Sequence, residues 1–155
     1  KGLITTSSSS QFMNFNVPHR QDPRKKWLFQ LTQHVEISAS YDKKGWRLFP
    51  DGSSNYNLSS GDSVERYKNI CFKARTNIQG TYTVFWQVVN TGLEASDAHC
   101  LRGDFYYSDG EAVLEIGTKI RRESARYKGT HWVECFIVKD GICVARSGEF
   151  VVRIV

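Results

Sequence analysis

Residues 127–147, with the sequence YKGTHWVECFIVKDGICVARS, decide the fold of this chain. They predict a turn, a long strand, a two-residue turn at Asp140-Gly141 and a second strand, because Asp-Gly between apolar runs is a strong hairpin signal. Large side chains occupy both faces of the first strand, although a half-buried strand needs only one apolar face. Another sheet, a partner domain or a ligand must therefore cover the second face.

The predicted hairpin also bears on the four cysteines, an even number that allows disulfides. Pairing outward from the turn sets Val138 opposite Cys143 and Cys135 opposite Arg146. Because opposite residues share a face and faces alternate along a strand, Cys135 and Cys143 lie on opposite faces and cannot bond to each other. The sequence contains no Cys-x-x-Cys pair, so a zinc site is not expected. We expect reduced thiols in a cytoplasmic protein, with no metal and no cofactor.

The composition is that of an ordinary globular domain. A chain of 155 residues with 40% hydrophobic and 24% charged residues can bury a genuine core. No apolar run approaches the ~18 residues that a membrane helix needs, and the start carries no secretory signal pattern. Because the chain begins with Lys1 rather than Met, we interpret it as a fragment of a longer protein, a truncated form or a processed product. The net charge of +5 permits an anionic partner, although a mild basic excess is also common.

The pattern along the chain predicts one folded domain. Residues 1–26 contain a serine run, two prolines and a basic stretch, and we expect them to be a linker or extension. Residues 27–155 are expected to form a single β-sandwich domain. The candidate strands are 35–41, 46–49, 67–74, 82–90, 101–107, 112–120, 131–139, 142–146 and 150–155. Residues 51–62 are expected to be a loop, and residues 27–34 and 93–99 could each hold a short helix.

Short strands at about 8–12-residue spacing predict an all-β fold, a sandwich of about seven to nine strands with little helix. Two details favour an immunoglobulin-like sandwich. Trp86 lies in mid-strand, where such folds place a core tryptophan. The stretch Tyr127-x-Gly-x-His131-x-Val133 resembles the corner that leads into their sixth strand, with His131 in place of the corner tyrosine and Val133 in place of the second cysteine. We therefore predict a sandwich without a disulfide.

The sequence gives little support to catalysis. Its four histidines form no His-Glu-x-x-His pattern, and it has no Gly-x-Ser-x-Gly elbow and no Walker-type phosphate loop. Glu134 and Asp104 could pair as carboxylates, but nothing fixes their separation. The integrin-type tripeptide Arg102-Gly103-Asp104 is short enough to occur by chance. We expect a protein that is not an enzyme.

One face of the hairpin suits binding. It carries Trp132, Glu134, Phe136, Val138, Cys143 and Ala145. An aromatic platform beside small residues and a single acid fits a ligand or a partner. In the alternative interpretation, Trp132 and Phe136 pack under a loop or a neighbouring domain, and Glu134 forms a salt bridge.

Arginines add candidate anion contacts. Arg102 precedes a glycine and could hold a phosphate through two parallel hydrogen bonds. Arg121, Arg122 and Arg126 lie just before Tyr127 and could steer an anion towards it. The alternatives are a surface arginine at 102 and a solvated, charged edge strand at 121–126.

Several separated blocks, taken together, resemble one known family. They are Trp86-x-Val-x-Asn-Thr-Gly-x-x-Ala95, Cys100-Leu-Arg-Gly-Asp-Phe105, Glu123, and Tyr127-x-Gly-x-His-Trp-Val-Glu-Cys-Phe-Ile-Val-x-x-Gly-x-Cys-Val-Ala-x-Ser147. In this order they look like the adenylyl/guanylyl cyclase and SMODS C-terminal sensor domain (AGS-C). The resemblance covers residues 67–155, and residues 1–60 carry no motif of it.

The resemblance implies a non-catalytic sensor module. Such modules follow nucleotidyltransferase or cyclase domains in bacterial antiviral second-messenger systems and recognise a ligand that is nucleotide-like. Asn90, Gly92 and Gly129 are expected to be structural, because turns demand such residues. The candidate ligand-binding residues are Arg102, Tyr127, His131, Trp132 and Glu134.

In this hypothesis the ligand is a nucleotide or an oligonucleotide. Trp132 or Tyr127 stacks on a base, Arg102 holds phosphate, and Glu134 accepts a hydrogen bond. Binding would regulate an attached or associated nucleotidyltransferase or cyclase. Two other functions stay open: a protein-interaction module that docks a catalytic domain or a phage protein through the apolar sheet face, and a carbohydrate-binding sandwich.

Overall fold

A computed structural model of the chain describes residues 17–42, 55–109 and 117–155. Within these ranges the chain is mostly β-structure in two sheets with little helix, which confirms the predicted all-β class. The strands are β1 (Leu28–Phe29), β2 (Glu36–Asp42), β3 (Asn55–Leu58), β4 (Ser63–Val64), β5 (Asn69–Arg75), β6 (Thr83–Val89), β7 (Phe105–Tyr107), β8 (Thr118–Ser124), β9 (Gly129–Lys139), β10 (Ile142–Arg146) and β11 (Phe150–Ile154). The described residues also form one α-helix, α1 (Leu93–Asp97), and one 3-10 turn (Pro23–Lys25). Neither is long and apolar enough to span a membrane.

The long strand β9 organises the larger sheet. It pairs with β6 along one edge, and with β10 and β11 along the other, all antiparallel. Strand β7 extends the sheet beyond β6, while β1 and β4 add short parallel pairs to β10 and β11. Strands β1, β3 and β4 were not among the predicted strands, and the two-residue strands β1 and β4 are too short to show alternation.

The hairpin between β9 and β10 follows the prediction near its turn. Asp140 and Gly141 both have positive φ angles, of 52° and 78°, as a tight hairpin turn requires. Val138 lies opposite Cys143 as predicted, but a bulge then shifts the register, so that Arg146 lies opposite Phe136. The predicted pairing of Cys135 with Arg146 is therefore wrong, because the bulge inserts one extra residue into β10. The four cysteines are free thiols, and Cys100 is the exposed one among them.

The smaller sheet has the antiparallel order β3-β2-β5-β8. Its inner face and that of the larger sheet contribute to one hydrophobic core, where the rings of Phe72 and Phe150 meet at 5.6 Å. Trp86 is fully buried in this core, and its indole N–H donates a hydrogen bond of 2.9 Å to Ser108 Oγ. The structure thus places two sheets face to face. The immunoglobulin-like order of connections stays a prediction.

Three local predictions can be compared with the described residues. The loop predicted over residues 51–62 is wrong at Asn55–Leu58, which forms β3 because Leu58 is buried opposite Ala39. The helix considered for residues 27–34 is wrong, since Leu28–Phe29 forms β1. The helix considered within residues 93–99 is confirmed by α1. The strand predicted at residues 46–49 and the first part of 112–120 lie outside the described residues.

A segment from before the first long strand covers the outer face of the larger sheet. We call residues 17–29 the N-terminal strap. The Trp27 ring contacts the rings of Phe85, Phe105 and Phe136 at centroid distances of 4.9, 4.8 and 5.6 Å. At the other end of the strap, Val17 packs against the buried cluster of Val89, Trp132 and Val151. The second apolar face of β9 is therefore covered by the chain's own strap.

Candidate ligand-binding site

A cavity of about 280 Å³ opens at one end of the two sheets and is lined by residues from both. We call it the end cavity. Its apolar floor consists of Ile70, Phe72, Val88, Val133, Val152 and Ile154. Its polar wall includes Asn90, Cys100, Arg102, Glu123, Arg126, Tyr127 and His131. Four of the predicted ligand-binding residues, Arg102, Tyr127, His131 and Trp132, thus line one cavity, whereas Glu134 does not.

Arg102 lies in the cavity wall as one half of an ion pair. Its Nη1 and Nη2 donate to the two carboxylate oxygens of Glu123 at 2.5 and 3.1 Å. Its Nε donates to Tyr106 Oη at 3.3 Å, and the guanidinium carbon lies 4.6 Å from the Tyr106 ring centroid. Burial alone would lower the pKa of Arg102, but the hydrogen bond and charge of Glu123 outweigh it and raise the pKa. Arg102 therefore carries its charge at any pH at which the protein is folded.

The three arginines predicted to steer anions have different surroundings. Arg121 donates from Nε to Glu123 at 2.8 Å and also lies over the Tyr106 ring, at 4.8 Å from its centroid. Arg122 is exposed on the same strand and does not line the end cavity. Arg126 does line it, with its guanidinium carbon 5.5 Å from the Tyr127 ring centroid. Of the three, Arg126 is the one placed to meet an anion at the cavity.

His131 and Tyr127 give the cavity neutral hydrogen-bonding groups. His131 Nε2 lies 2.8 Å from the carbonyl oxygen of Tyr127, and because a carbonyl only accepts, Nε2 carries the hydrogen. Burial lowers the pKa of His131, so the ring is neutral at pH 7 and its Nδ1 is an acceptor. A hydrogen bond with Cys100 raises the pKa of Tyr127, so its phenol stays protonated. The cavity can therefore donate and accept hydrogen bonds without charge at these two residues.

Asn90 fixes the backbone that carries Arg102. Its Nδ2 donates to Cys100 O at 2.8 Å, and its Oδ1 accepts from Arg102 N at 2.6 Å. Its own carbonyl accepts from His19 Nε2 of the strap at 2.7 Å. Asn90 thus joins the cavity loop to the strap, with both side-chain polar atoms hydrogen-bonded to the backbone of the loop.

Three glycines stand where backbone passes close to backbone. A Cβ on Gly129 would lie 2.4 Å from the carbonyl oxygen of Thr91, and one on Gly92 would lie 2.7 Å from that of Lys128. A Cβ on Gly103 would lie 2.1 Å from the carbonyl oxygen of His19. The tripeptide at residues 102–104 is therefore packed against the strap, and its glycine serves this contact.

Trp132 and Glu134 face the strap. Trp132 is 1% exposed and Glu134 is 0% exposed. Glu134 accepts two hydrogen bonds from Arg146, from Nε at 2.9 Å and from Nη2 at 2.6 Å. Arg20 of the strap lies 4.0 Å from Glu134 and 5.8 Å from the Trp132 ring centroid. The contacts are those of the second interpretation of this face, in which the aromatic residues pack under a covering segment and Glu134 forms a salt bridge.

Some residues of the site could not be assigned a role from the sequence. Glu123 formed one block of the resemblance, but it lies in β8, and its partner Arg102 comes from a loop 21 positions away. Tyr106, which lies between two guanidiniums, gave no signal at all. No group of three or more His, Cys, Asp or Glu side chains within the described ranges could hold a metal ion.

Two packed sheets with a partly polar cavity at one end define a small β-domain built around a pocket. The chain belongs to the adenylyl/guanylyl and SMODS C-terminal sensor domain family, whose sequence model matches residues 15–155. The match includes the strap as well as both sheets. Domains of this family are sensors associated with nucleotidyltransferase and cyclase proteins. A search of curated proteins found none that matches this chain.

Proposed function

We propose that this domain is a non-catalytic sensor that binds a nucleotide in the end cavity. Binding regulates an attached or associated nucleotidyltransferase or cyclase in bacterial antiviral defence. The observation that carries the proposal is the composition of the cavity, in which an apolar floor meets a charged Arg102–Glu123 pair and two neutral hydrogen-bonding groups. Apolar pockets with a few convergent polar groups are the usual form of small-ligand sites.

The size and polarity of the cavity suit the base of one nucleotide. Its volume of about 280 Å³ is near the lower end for ligand pockets, so a whole oligonucleotide does not fit inside. A base on the apolar floor can contact the Tyr127 ring, and His131 Nδ1 can accept a hydrogen bond from its edge. The phosphate then lies towards the mouth, where Arg126 has no carboxylate within salt-bridge distance in the described part of the chain.

Arg102 connects the ligand to regulation. A ligand anion that contacts Arg102 must compete with Glu123, because both η-nitrogens already donate to that carboxylate. The next residue, Gly103, accepts a hydrogen bond from Gln21 N of the strap at 3.0 Å. A shift of the Arg102 backbone would therefore change the hydrogen bond between Gly103 and the strap. In a C-terminal sensor domain the strap leads towards the preceding domain. A ligand that binds one of two conformations better, with the strap docked or released, would shift the population towards that conformation.

Glu134 has no part in the proposed ligand contacts, because it is buried under the strap; Trp132 lines the end cavity but is 1% exposed, so we assign it no stacking role. The same burial weakens the protein-docking alternative, because the apolar face of Trp132 and Phe136 is already occupied. It also weakens the carbohydrate alternative, because neither Trp86 nor Trp132 offers an exposed ring.

A thermal-shift screen of the whole chain tests the proposal. Mono-, di- and cyclic nucleotides and short oligonucleotides are titrated at two salt concentrations, since a ligand that binds the native state raises the melting temperature. We expect a saturable, salt-sensitive shift for one nucleotide class. Arg126→Ala should weaken that binding about tenfold, as loss of a charge-assisted contact does, whereas Arg24→Ala at an exposed strap position should not. A folded sample that responds to none of the compounds would overturn the proposal.

A further inference from the structure

The tripeptide Arg-Tyr-Lys occurs twice in this chain, at residues 66–68 and 126–128. One copy lies in the connection that precedes β5, and the other lies in the connection that precedes β9. These two connections are adjacent in the structure. Tyr67 N donates to Ala125 O at 2.6 Å, and Ala125 N donates to Lys68 O at 2.8 Å. Two backbone hydrogen bonds therefore hold the first copy beside Ala125, the residue that immediately precedes the second copy. We call the two copies the paired Arg-Tyr-Lys segments.

Both copies have the same side-chain arrangement. The guanidinium carbon of Arg66 lies 5.0 Å from the Tyr67 ring centroid, and that of Arg126 lies 5.5 Å from the Tyr127 ring centroid. Tyr127 lines the end cavity, while Tyr67 is 66% exposed. The φ angle of Tyr67 is 69°, in the left-handed region that an aromatic residue rarely adopts. A strained backbone thus presents an exposed ring beside the cavity.

The surface around these rings is basic. The paired segments carry Arg66, Lys68, Arg126 and Lys128, and Glu94 at the start of α1 links them. Its carboxylate lies 3.4 Å from Arg66 Nη1 and accepts from the backbone N–H of Lys128 at 2.9 Å. Aromatic rings on a positively charged surface are the combination by which proteins bind single-stranded nucleic acid, since bases stack on the rings and phosphates meet the charges.

We propose that the paired Arg-Tyr-Lys segments bind a linear single-stranded oligonucleotide, one nucleotide of which enters the end cavity. Tyr127 contacts the base of that nucleotide, and Tyr67 stacks on the base next to it. Arg126, which lies over the Tyr127 ring, meets the phosphate that joins the two nucleotides. This inference rests on the proposed function and narrows its ligand from a nucleotide to an oligonucleotide.

Calorimetric titration of the whole chain with AMP and with single-stranded tetra-adenylate tests the inference. We expect tetra-adenylate to bind at least tenfold more tightly than AMP, which is the size of one added base stack. Tyr67→Asn removes the ring with a residue that tolerates positive φ. It should abolish the advantage of tetra-adenylate and leave AMP binding unchanged. Tyr56→Ala, at a 49% exposed tyrosine of β3, should change neither affinity.

Each other outcome has a distinct meaning. If AMP binds and tetra-adenylate binds no more tightly, the inference fails and the proposed function stands. If tetra-adenylate keeps its advantage in folded Tyr67→Asn, the stacking role of Tyr67 is overturned. Equal binding of double-stranded DNA, or competition by a glutamate hexapeptide, would also overturn base stacking and replace it with simple charge attraction or a protein partner. If neither adenylate binds to the folded chain, and no other base does, the proposed function fails as well.

Discussion

Two arginine–glutamate pairs of the same chemistry lie in two different regions of this domain. Arg102–Glu123 stands in the wall of the end cavity, where the side chains are 32% and 12% exposed. Arg146–Glu134 lies under the N-terminal strap, where Glu134 is fully buried and the strap residue Arg20 adds a second cation. Both pairs have two N–H···O bonds. Because the bonds are alike and the surroundings differ, we expect the buried pair to stabilise the fold and the partly exposed pair to be the one that a ligand can reach.

The two regions are joined by a short stretch of backbone. Arg102 N donates to Asn90 Oδ1, and Gly103 O accepts from Gln21 N and from Gln87 Nε2, the last two at 3.0 Å each. Gln87 Nε2 also donates to Gln21 O at 2.7 Å. The residue that faces the cavity is thus one position from the residue that holds the strap. Changes at either pair can be tested for their effect on the other.

The largest effect should come from Glu134. Glu134→Gln removes the charge opposite Arg146 in a buried site, which typically costs about 3–5 kcal/mol of unfolding free energy. Denaturant unfolding measures this loss. The double variant Glu134→Leu with Arg146→Met should lose less than the single one, because no charge of the pair is left uncompensated. A loss below about 1 kcal/mol, the value for exposed pairs, would show that this pair is not closed off from solvent.

The second effect should come from Gly103. A Cβ in Gly103→Ala would lie 2.1 Å from the His19 carbonyl oxygen, so the strap must move. We expect a loss of about 1–3 kcal/mol, in the range of substitutions that overpack a close contact. Limited proteolysis should also cleave residues 19–27 faster than in the unchanged chain. Gly61→Ala is the control, because nothing lies within 4 Å of its Cβ and its cost is the φ angle of 97° alone. Unchanged cleavage in Gly103→Ala would mean that the position of the strap does not depend on its contact with the cavity loop.

A smaller loss of stability, and a gain in binding, should follow from Glu123→Gln. The pair with Arg102 is partly solvated, so we expect a loss of about 1–2 kcal/mol, between exposed and buried pairs. The guanidinium of Arg102 then lacks its carboxylate, while Arg121 keeps only Asp109 at 3.9 Å, so the variant should bind inorganic phosphate more tightly than the unchanged chain. Glu134→Gln should give no such gain, because its arginines lie outside the cavity. Equal phosphate affinity in both variants would contradict the distinction between the regions.

The sequence predicted the parts of the fold that depend on short-range pattern. Asp140-Gly141 located the β9–β10 turn, and alternation located β6. The bulge after Cys143 has no such signal, yet it moves Arg146 onto the face of Glu134 and so makes the buried pair possible. A one-residue shift reverses the face of every later side chain.

Contacts between distant segments could not be predicted in the same way. Residues 17–26 have the composition of a linker, but their Arg20 and the nearby Trp27 contact residues more than 50 positions later. The cavity pair likewise joins a loop of one sheet region to β8 of the other sheet. Sequence pattern therefore indicated Arg102, Tyr127, His131 and Trp132, which line the end cavity, whereas the burial of Trp132 and Glu134 under the strap could not be predicted from it.

The smallest effect is a pH dependence that belongs to the cavity region alone. Burial lowers the pKa of His131 below its ordinary value of 6.5. As the pH falls through 6.5, the unfolded chain takes up a proton that the folded chain does not, so stability falls below pH 6.5 and is unaffected by this group above it. Unfolding free energies at pH 5.5 and 7.5 should differ by several tenths of a kcal/mol to about 1 kcal/mol because of His131. His131→Gln should remove that part of the difference, whereas His34→Gln, at an exposed position, should keep it. An identical pH dependence in His131→Gln would mean that the ring titrates in the folded cavity as it does in water, and the cavity wall would then gain a charge in mild acid.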